Sequence, residues 1–209
     1  MEDRPERQAR FAASILAAGH GSRIGHVPKA ALRVRGQTIL DRQVTSLRGA
    51  SVCDISVVIG PYREQLEPLV ADCNARLVLN ETGSTDVVTS QIAAIKAHYR
   101  SHAGHDMLVL LGDLPSLESS HIHRLANAWQ SLSRDIHAVV PTCDDVRGHP
   151  ILLSWEAVQG IAESGLLAEG IRGWLSRNRQ RVQFLEMQDP AYVQDVDTEE
   201  DLALVGGIL

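Results

Sequence analysis

The chain has 209 residues, 44% of them hydrophobic, with 26 acidic side chains against 20 lysines and arginines and a formal net charge of −6. That length supports one sizeable core, and the acidic balance excludes a nucleic-acid polymer as the main partner, because phosphate backbones reward a basic surface. No apolar run approaches the roughly 18–20 residues that span a bilayer, so no membrane partner is expected. Cys53, Cys73 and Cys143 are odd in number and widely spaced, which suggests neither a disulfide framework nor a zinc site. Residues 1–10 read as a short flexible charged tail without a signal-peptide pattern, residues 11–209 as one domain, and the location as cytoplasmic.

Phe11 to Ala17 reads as a buried first strand that runs into a glycine-rich loop ending at Lys29. Ile39, Leu40, Val44 and Leu47 stand at helical spacing, so a helix is expected from about Thr38 to Leu47. A second strand, Asp54 to Gly60, is closed by Gly60-Pro61, a helix follows from Glu64 to Asp72, and Ala75 to Leu79 is a third strand. Asn80 to Asp86 is a polar loop before an amphipathic helix, Val87 to Tyr99. Met107 to Leu111 is the strongest apolar run and the central-strand candidate, stopping at Gly112-Asp113-Leu114-Pro115. A helix around Ile122 to Trp129, a strand at 137–140, a loop at 142–147 and a strand at 151–153 come next. Residues 154–178 read as helical pieces broken by glycines, with strands at 182–185 and 192–196. Alternating strands and helices predict an α/β fold, a three-layer α/β/α sandwich with a mostly parallel mixed sheet. Ligands then gather at the carboxyl ends of the strands.

Three features fall at those ends. Gly19, Gly21 and Gly25 let a backbone approach a ligand closely, and Arg23 and Lys29 add cations that a structural turn would not need. The spacing fits neither GxGxxG nor GxxxxGK[ST], so dehydrogenase and P-loop readings both fail. Asp113 follows the most apolar strand, where it either caps a turn or faces the loop as a metal ligand, since magnesium favours carboxylates together with substrate phosphates. Asp195 and Asp197 stand at alternate positions where the expected strand 192–196 runs out and so share a face, although Asp197 could equally be the N-cap of the last helix. His98, His102 and His105, and likewise His121 and His123, read as a solvated surface rather than a zinc site. His149 lies in a Gly-His-Pro turn.

Taken together, Leu16-Ala-Ala-Gly-His-Gly-Ser-Arg-Ile-Gly25 with Lys29, Gly112-Asp-Leu-Pro115, Gly148-His-Pro150 and Asp195-Val-Asp-Thr-Glu-Glu-Asp-Leu202 resemble the MobA-like nucleotidyltransferases. The closest resemblance within that group is to the molybdenum-cofactor cytidylyltransferases. It implies a Rossmann-like fold and transfer of a nucleoside monophosphate, CMP from CTP, onto a phosphorylated acceptor, molybdopterin, with release of pyrophosphate. It further implies that Leu16, Ala17, Ala18, Gly19, Gly21, Ser22, Arg23, Gly25, Lys29 and Ser90 bind the nucleotide, with Arg23, Lys29 and Asp113 catalytic. Asp113 and Asp197 would bind Mg²⁺, His149 and Arg147 would meet the acceptor, and a molybdoenzyme would be a partner. The sequence departs from the family at Ile24 (usually Met), at Leu114 (commonly Gln) and in the loop 80–86, where Ser90 stands in for the family's serine. Pro28-Lys29 suits transfer to a sugar phosphate as well, while the Gly-His-Pro turn and the short chain without an added domain favour the cofactor enzymes. A non-catalytic nucleotide- or cofactor-binding chaperone is the alternative of another class.

Overall fold

Phe11–Leu16 forms the first strand, β1, with every residue after the first buried. A continuous apolar run of this kind marks a parallel strand covered on both faces. The computed structural model describes residues 9–19, 21, 24–82, 86–163 and 169–208. Most of the expected tail, Ser22 and Arg23 of the expected site, and stretches 83–85 and 164–168 lie outside the described residues.

The chain continues through β2 (Arg33–Val34), β3 (Gln37–Thr38), α1 (Ile39–Gly49), β4 (Asp54–Ile59), α2 (Arg63–Asp72) and β5 (Arg76–Leu79). Then follow α3 (Val87–Ser101), β6 (Asp106–Leu111), α4 (Ser119–Ser131), β7 (Ala138–Cys143), β8 (Val146–Arg147) and β9 (Ile151–Leu153). The last elements are α5 (Trp155–Glu163), α6 (Gly170–Arg177), β10 (Val182–Glu186), α7 (Glu199–Leu204) and β11 (Gly207–Ile208). The main sheet has the order β10-β7-β9-β6-β1-β4-β5, with β8 paired to β7. It is mixed and mostly parallel: β9 runs antiparallel to β6 and β7, and β8 antiparallel to β7.

Alternation along the strands divides the core into two layers. Ile15, Val57, Leu108 and Leu110 face α1, α2 and α4, whose Leu40, Val44, Leu66, Ile122 and Trp129 complete one cluster. Val58, Met107 and Val109 face α3, α5 and α6 through Ile95, Val158, Ile161, Ile171 and Leu175. Each such side chain contributes about 1.5–3 kcal/mol when fully buried, so helices on both faces are what hold the sheet together. A smaller third cluster joins Ile24, Leu32, Val34, Ile39, Val196 and Leu202. It anchors the glycine loop, through Ile24, to the segment carrying Asp195 and Asp197.

Three expectations need correction, and one small sheet has no counterpart in the sequence pattern. Residues 192–196 are not a strand: Pro190–Tyr192 forms a 3-10 turn, and the chain then turns on bonds from the Val193 and Gln194 N–H groups to Pro190 O. Residues 142–147 are not simply a loop, because β7 reaches Cys143 and pairs with β8. The three-stranded sheet β11-β2-β3 carries no sequence signal, its strands being two residues each. His98 and His121 are not surface residues. His98 is buried on α3 with Nε2 2.9 Å from His105 O, and burial pushes its pKa down to about 4. His121 accepts from the Glu118 N–H through Nδ1, capping α4.

Candidate active site

β1 leads outward to β4 and β5, whereas β6 returns on its other side. The β1–β6 edge is therefore the switch point of the sheet, where open α/β folds bind ligands. A cavity of about 180 Å³ lies there. Leu16, Ala17, Ala18 and Gly19 form one wall, Leu111, Gly112 and Asp113 a second, and Lys29, Ala30, Val87 and Ser90 complete it. The two strand ends approach closely because Gly112 donates its N–H to Leu16 O at 2.9 Å. A Cβ at Gly112 would lie 3.0 Å from that oxygen and 3.2 Å from Ala17 Cα.

The glycine loop is closed by its own backbone. Gly21 pairs with Val27 and accepts the N–H groups of Ile24 and His26 at 3.0 and 2.9 Å. Gly25 turns there with φ +62°. Pro28 leads into a 3-10 turn, Lys29–Ala31. Lys29 Nζ donates to Asp113 Oδ2 at 2.9 Å and to Asp197 Oδ1. Burial alone would lower the pKa of this ammonium, but Asp113 and Asp197 outweigh it and hold the value above the ordinary one.

Asp113, Asp195 and Asp197 each offer a carboxylate oxygen within 4.8 Å of the others, and this is the metal-competent group of three found among the described residues. Oδ1 of Asp113 is buried and has no hydrogen-bond partner among the described residues. Asp195 is exposed as a residue, but its carboxyl is desolvated beside Asp113 and Asp197, and its pKa is raised by that burial and by their charges. The alternative role expected for Asp197 falls away. The cap of α7 is Thr198, in a reciprocal box with Asp201, and the Asp197 carboxylate is engaged by Lys29 instead.

Side chains not singled out from the sequence hold these groups in place. Buried Gln43 on α1 donates to Leu111 O at 2.7 Å and to Leu114 O at 3.1 Å, clamping the turn that bears Asp113. The signal was present: a polar residue inside the apolar stripe Leu40, Val44, Leu47. Buried Asn80 donates to Thr89 Oγ1 at 3.1 Å and Ser90 Oγ at 3.4 Å, seating Ser90 at the cavity. Val196 N–H donates to Asp113 O at 3.1 Å, fixing the spacing between the two aspartate-bearing segments.

His149 lies where β9 begins beside β6. Its Nδ1 is 3.1 Å from Val109 O, so Nδ1 carries the proton and Nε2 is an acceptor. Burial lowers its pKa, against the opposing effects of the Val109 carbonyl and Asp113. Arg147 is not part of the cavity wall; its guanidinium sits 5.0 Å above the Phe184 ring of β10. No described helix is long and apolar enough to cross a membrane.

Residues 13–182 match the MobA-like NTP transferase domain. The chain belongs to that family. Its similarity to nicotine blue oxidoreductase of Paenarthrobacter nicotinovorans is 27% identity over 198 residues, 90% of this chain and 92% of that protein. It is 36% identical over 116 residues to 2-C-methyl-D-erythritol 4-phosphate cytidylyltransferase of Thermobifida fusca, covering 52% of this chain and 45% of that one. It also matches the bifunctional GlmU proteins of Syntrophomonas wolfei and Gloeobacter violaceus, of which it spans 25% and 30%. Among solved structures, a Mycobacterium tuberculosis protein in complex with manganese superposes with a TM-score of 0.68 at 20% identity, over 95% of this chain and 98% of that one. That likeness carries the MobA-like fold.

Proposed function

We propose that this MobA-like protein transfers a nucleoside monophosphate, CMP by preference, from its triphosphate to a phosphorylated small-molecule acceptor and releases pyrophosphate. The observation that carries the reading is Lys29 spanning Asp113 and Asp197 on the wall of the β1–β6 cavity. The donor set suits a hard divalent cation: three carboxylates converge, and a buried Asp113 oxygen has an unmet acceptor capacity. Asp113 and Asp197, with Asp195 beside them, would hold Mg²⁺, which when bound would neutralise charge on the triphosphate.

The remaining work belongs to the chain. A cavity of about 180 Å³ is smaller than the roughly 300–1,000 Å³ of sites for drug-sized ligands. It therefore takes the base end of the nucleotide, while the phosphates run along the loop toward Lys29. In-line displacement at the α-phosphorus needs positioning and charge stabilisation rather than covalent help. Lys29, joined by Arg23, stabilises the charge that develops on the pyrophosphate. The acceptor phosphate is already an anionic nucleophile, so no general base is required. His149 presents neutral Nε2 to the acceptor side, and Arg147 is the more distant acceptor contact.

The preference for CTP is supported by the 36% identity to the Thermobifida cytidylyltransferase. Molybdopterin is the first acceptor to test, on the strength of Gly148-His149-Pro150, and a molybdoenzyme is the corresponding partner. Sugar phosphates are the second. The assay is pyrophosphate release from each nucleoside triphosphate with Mg²⁺ and each acceptor. Release from a CTP–acceptor pair that Asp113→Ala abolishes supports the reading; no release from any pair, or release that survives the substitution, sinks it. Specific nucleotide binding without turnover identifies the chaperone alternative. A second reading, an oxidoreductase on the same scaffold, is favoured by the near full-length match to nicotine blue oxidoreductase. Turnover of nicotine blue with a supplied redox partner, in the absence of pyrophosphate release, would select it.

A further inference from the structure

Lys29 and a divalent cation have claims on the same carboxylates. The ammonium bridges Asp113 Oδ2, at 2.9 Å, and Asp197 Oδ1. These are two of the three carboxylates that converge within 4.8 Å. Asp113 and Asp197 would hold a magnesium ion through carboxylate oxygens, the ligand type that this hard cation prefers. The ammonium that lies between these two carboxylates neutralises them in the metal's place. The ammonium and a divalent cation therefore compete for the negative charge of one cluster.

We infer that Lys29 is an exchangeable placeholder: it neutralises the carboxylate cluster in the free protein, is displaced by the incoming divalent cation, and then carries its charge to the triphosphate. The inference rests on the nucleotide-site reading above and adds to it an order of events and a coupling. Lys29 begins the 3-10 turn that follows the glycine loop, and it lines the cavity as well as touching the aspartates. Its side chain has four rotatable carbon–carbon bonds and a compact charge, so it can change partners without backbone movement. Moving the ammonium out of the cluster is favourable only when another cation replaces it there. Leaving it in solution without a phosphate partner forfeits its charge-assisted bonds. Metal and triphosphate should therefore each strengthen the other's binding, and a reciprocal coupling of this kind is a thermodynamic necessity once either is shown to act on the other. The free protein should bind a divalent cation weakly.

The test uses Mn²⁺ alone, then Mn²⁺ with the non-hydrolysable α,β-methylene CTP, on the full chain and on Lys29→Met. Calorimetry or the electron paramagnetic resonance of free Mn²⁺ reads the affinity. Removing the charge-assisted bonds that compete with the metal should tighten Mn²⁺ binding to Lys29→Met about tenfold or more in the absence of nucleotide. The same variant should show a weaker mutual strengthening of Mn²⁺ and nucleotide than the natural sequence, because only direct metal–phosphate contact then couples them. Because an unbalanced acidic cluster can destabilise the variant, a second measurement follows the natural protein: the Lys29 ε-CH₂ resonances in a ¹³C-lysine-labelled sample titrated with Mg²⁺. They should shift as Mg²⁺ binds and shift again with the CTP analogue. Equal Mn²⁺ affinity in the two proteins, no Mn²⁺ binding in either, or Lys29 resonances indifferent to saturating Mg²⁺ overturns the exchange. Metal-driven release of Lys29 without any nucleotide binding would support the exchange while refuting the nucleotide-site reading, so the two failures are separable.

Discussion

Gly21→Ala tests how the glycine loop meets the triphosphate. An ideal Cβ at Gly21 falls 2.1 Å from Val27 O, whereas real contacts of this kind stop at about 3.0 Å. The obstacle is a backbone carbonyl, not the end of a flexible side chain, so the two strands of the Gly21–Val27 bridge must part by about 0.9 Å. Lys29 follows Val27 by two residues and is held by its turn and by buried Ala30, which leaves the loop side to move. Displacement of a substrate-positioning group by about 1 Å costs on the order of 10²-fold in rate. The expected result is a drop of that size in kcat/KM for pyrophosphate release, with weakened nucleotide binding. The melting temperature should change little, because Gly21 lies outside the three core clusters. Activity within threefold of the natural protein would refute the claim that this bridge sets the geometry. A collapse of stability would show that the loop is part of the fold's foundation.

Further expectations follow from other parts of the molecule. Native His98 stays neutral down to about pH 4, while its unfolded counterpart protonates near pH 6.5. Between those values the unfolded state binds more protons, so the contribution is complete above pH 6.5 and is lost as pH falls toward 4. The sum is about 3 kcal/mol, and urea titrations across that window should show a slope that His98→Gln flattens. Trp129→Ala removes a fully buried side chain whose Nε1 donates to Asp106 Oδ2 at 2.7 Å, and should cost about 3–5 kcal/mol in the same titrations. Arg147→Ala, which removes a guanidinium stacked on exposed Phe184, should raise KM for the acceptor while leaving KM for the triphosphate unchanged. An unchanged acceptor KM removes Arg147 from the site.

The sheet was legible because its strands are buried on both faces, and β1, β4 and β6 therefore stand out as apolar runs between turn signals. The cavity was legible for the same reason, since Leu16 to Gly19 and Gly112-Asp113 sit at the ends of those runs. What escaped was specified by tertiary contacts. Nothing in Arg33-Val34, Gln37-Thr38 or Gly207-Ile208 marks two-residue strands, which exist because they pair with each other. The stretch 192–196 alternates like a strand, but the turn at Pro190 and the Val196–Asp113 backbone bond take its hydrogen-bonding groups. Asp195 and Asp197 still converge, through a loop and not through strand alternation. The roles of Gln43 and Asn80 depend on carbonyls and hydroxyls brought near by folding, and the cap of α7 falls to Thr198 because the Asp197 carboxylate is drawn to Lys29.

The central claim is that Lys29 and the Asp113 cluster serve nucleotidyl transfer. The measurement that tests it most directly is pyrophosphate release from CTP with Mg²⁺ and each phosphorylated acceptor, comparing the natural chain with Asp113→Asn. That substitution keeps the shape of the side chain and the backbone bond to Val196. With at least one acceptor, release should be abolished by chelator and should fall about 10²–10³-fold in the variant, the usual cost of losing an electrostatic contact made to the transition state. Release from the variant at the natural rate, or none from the natural chain with any acceptor, would contradict the account.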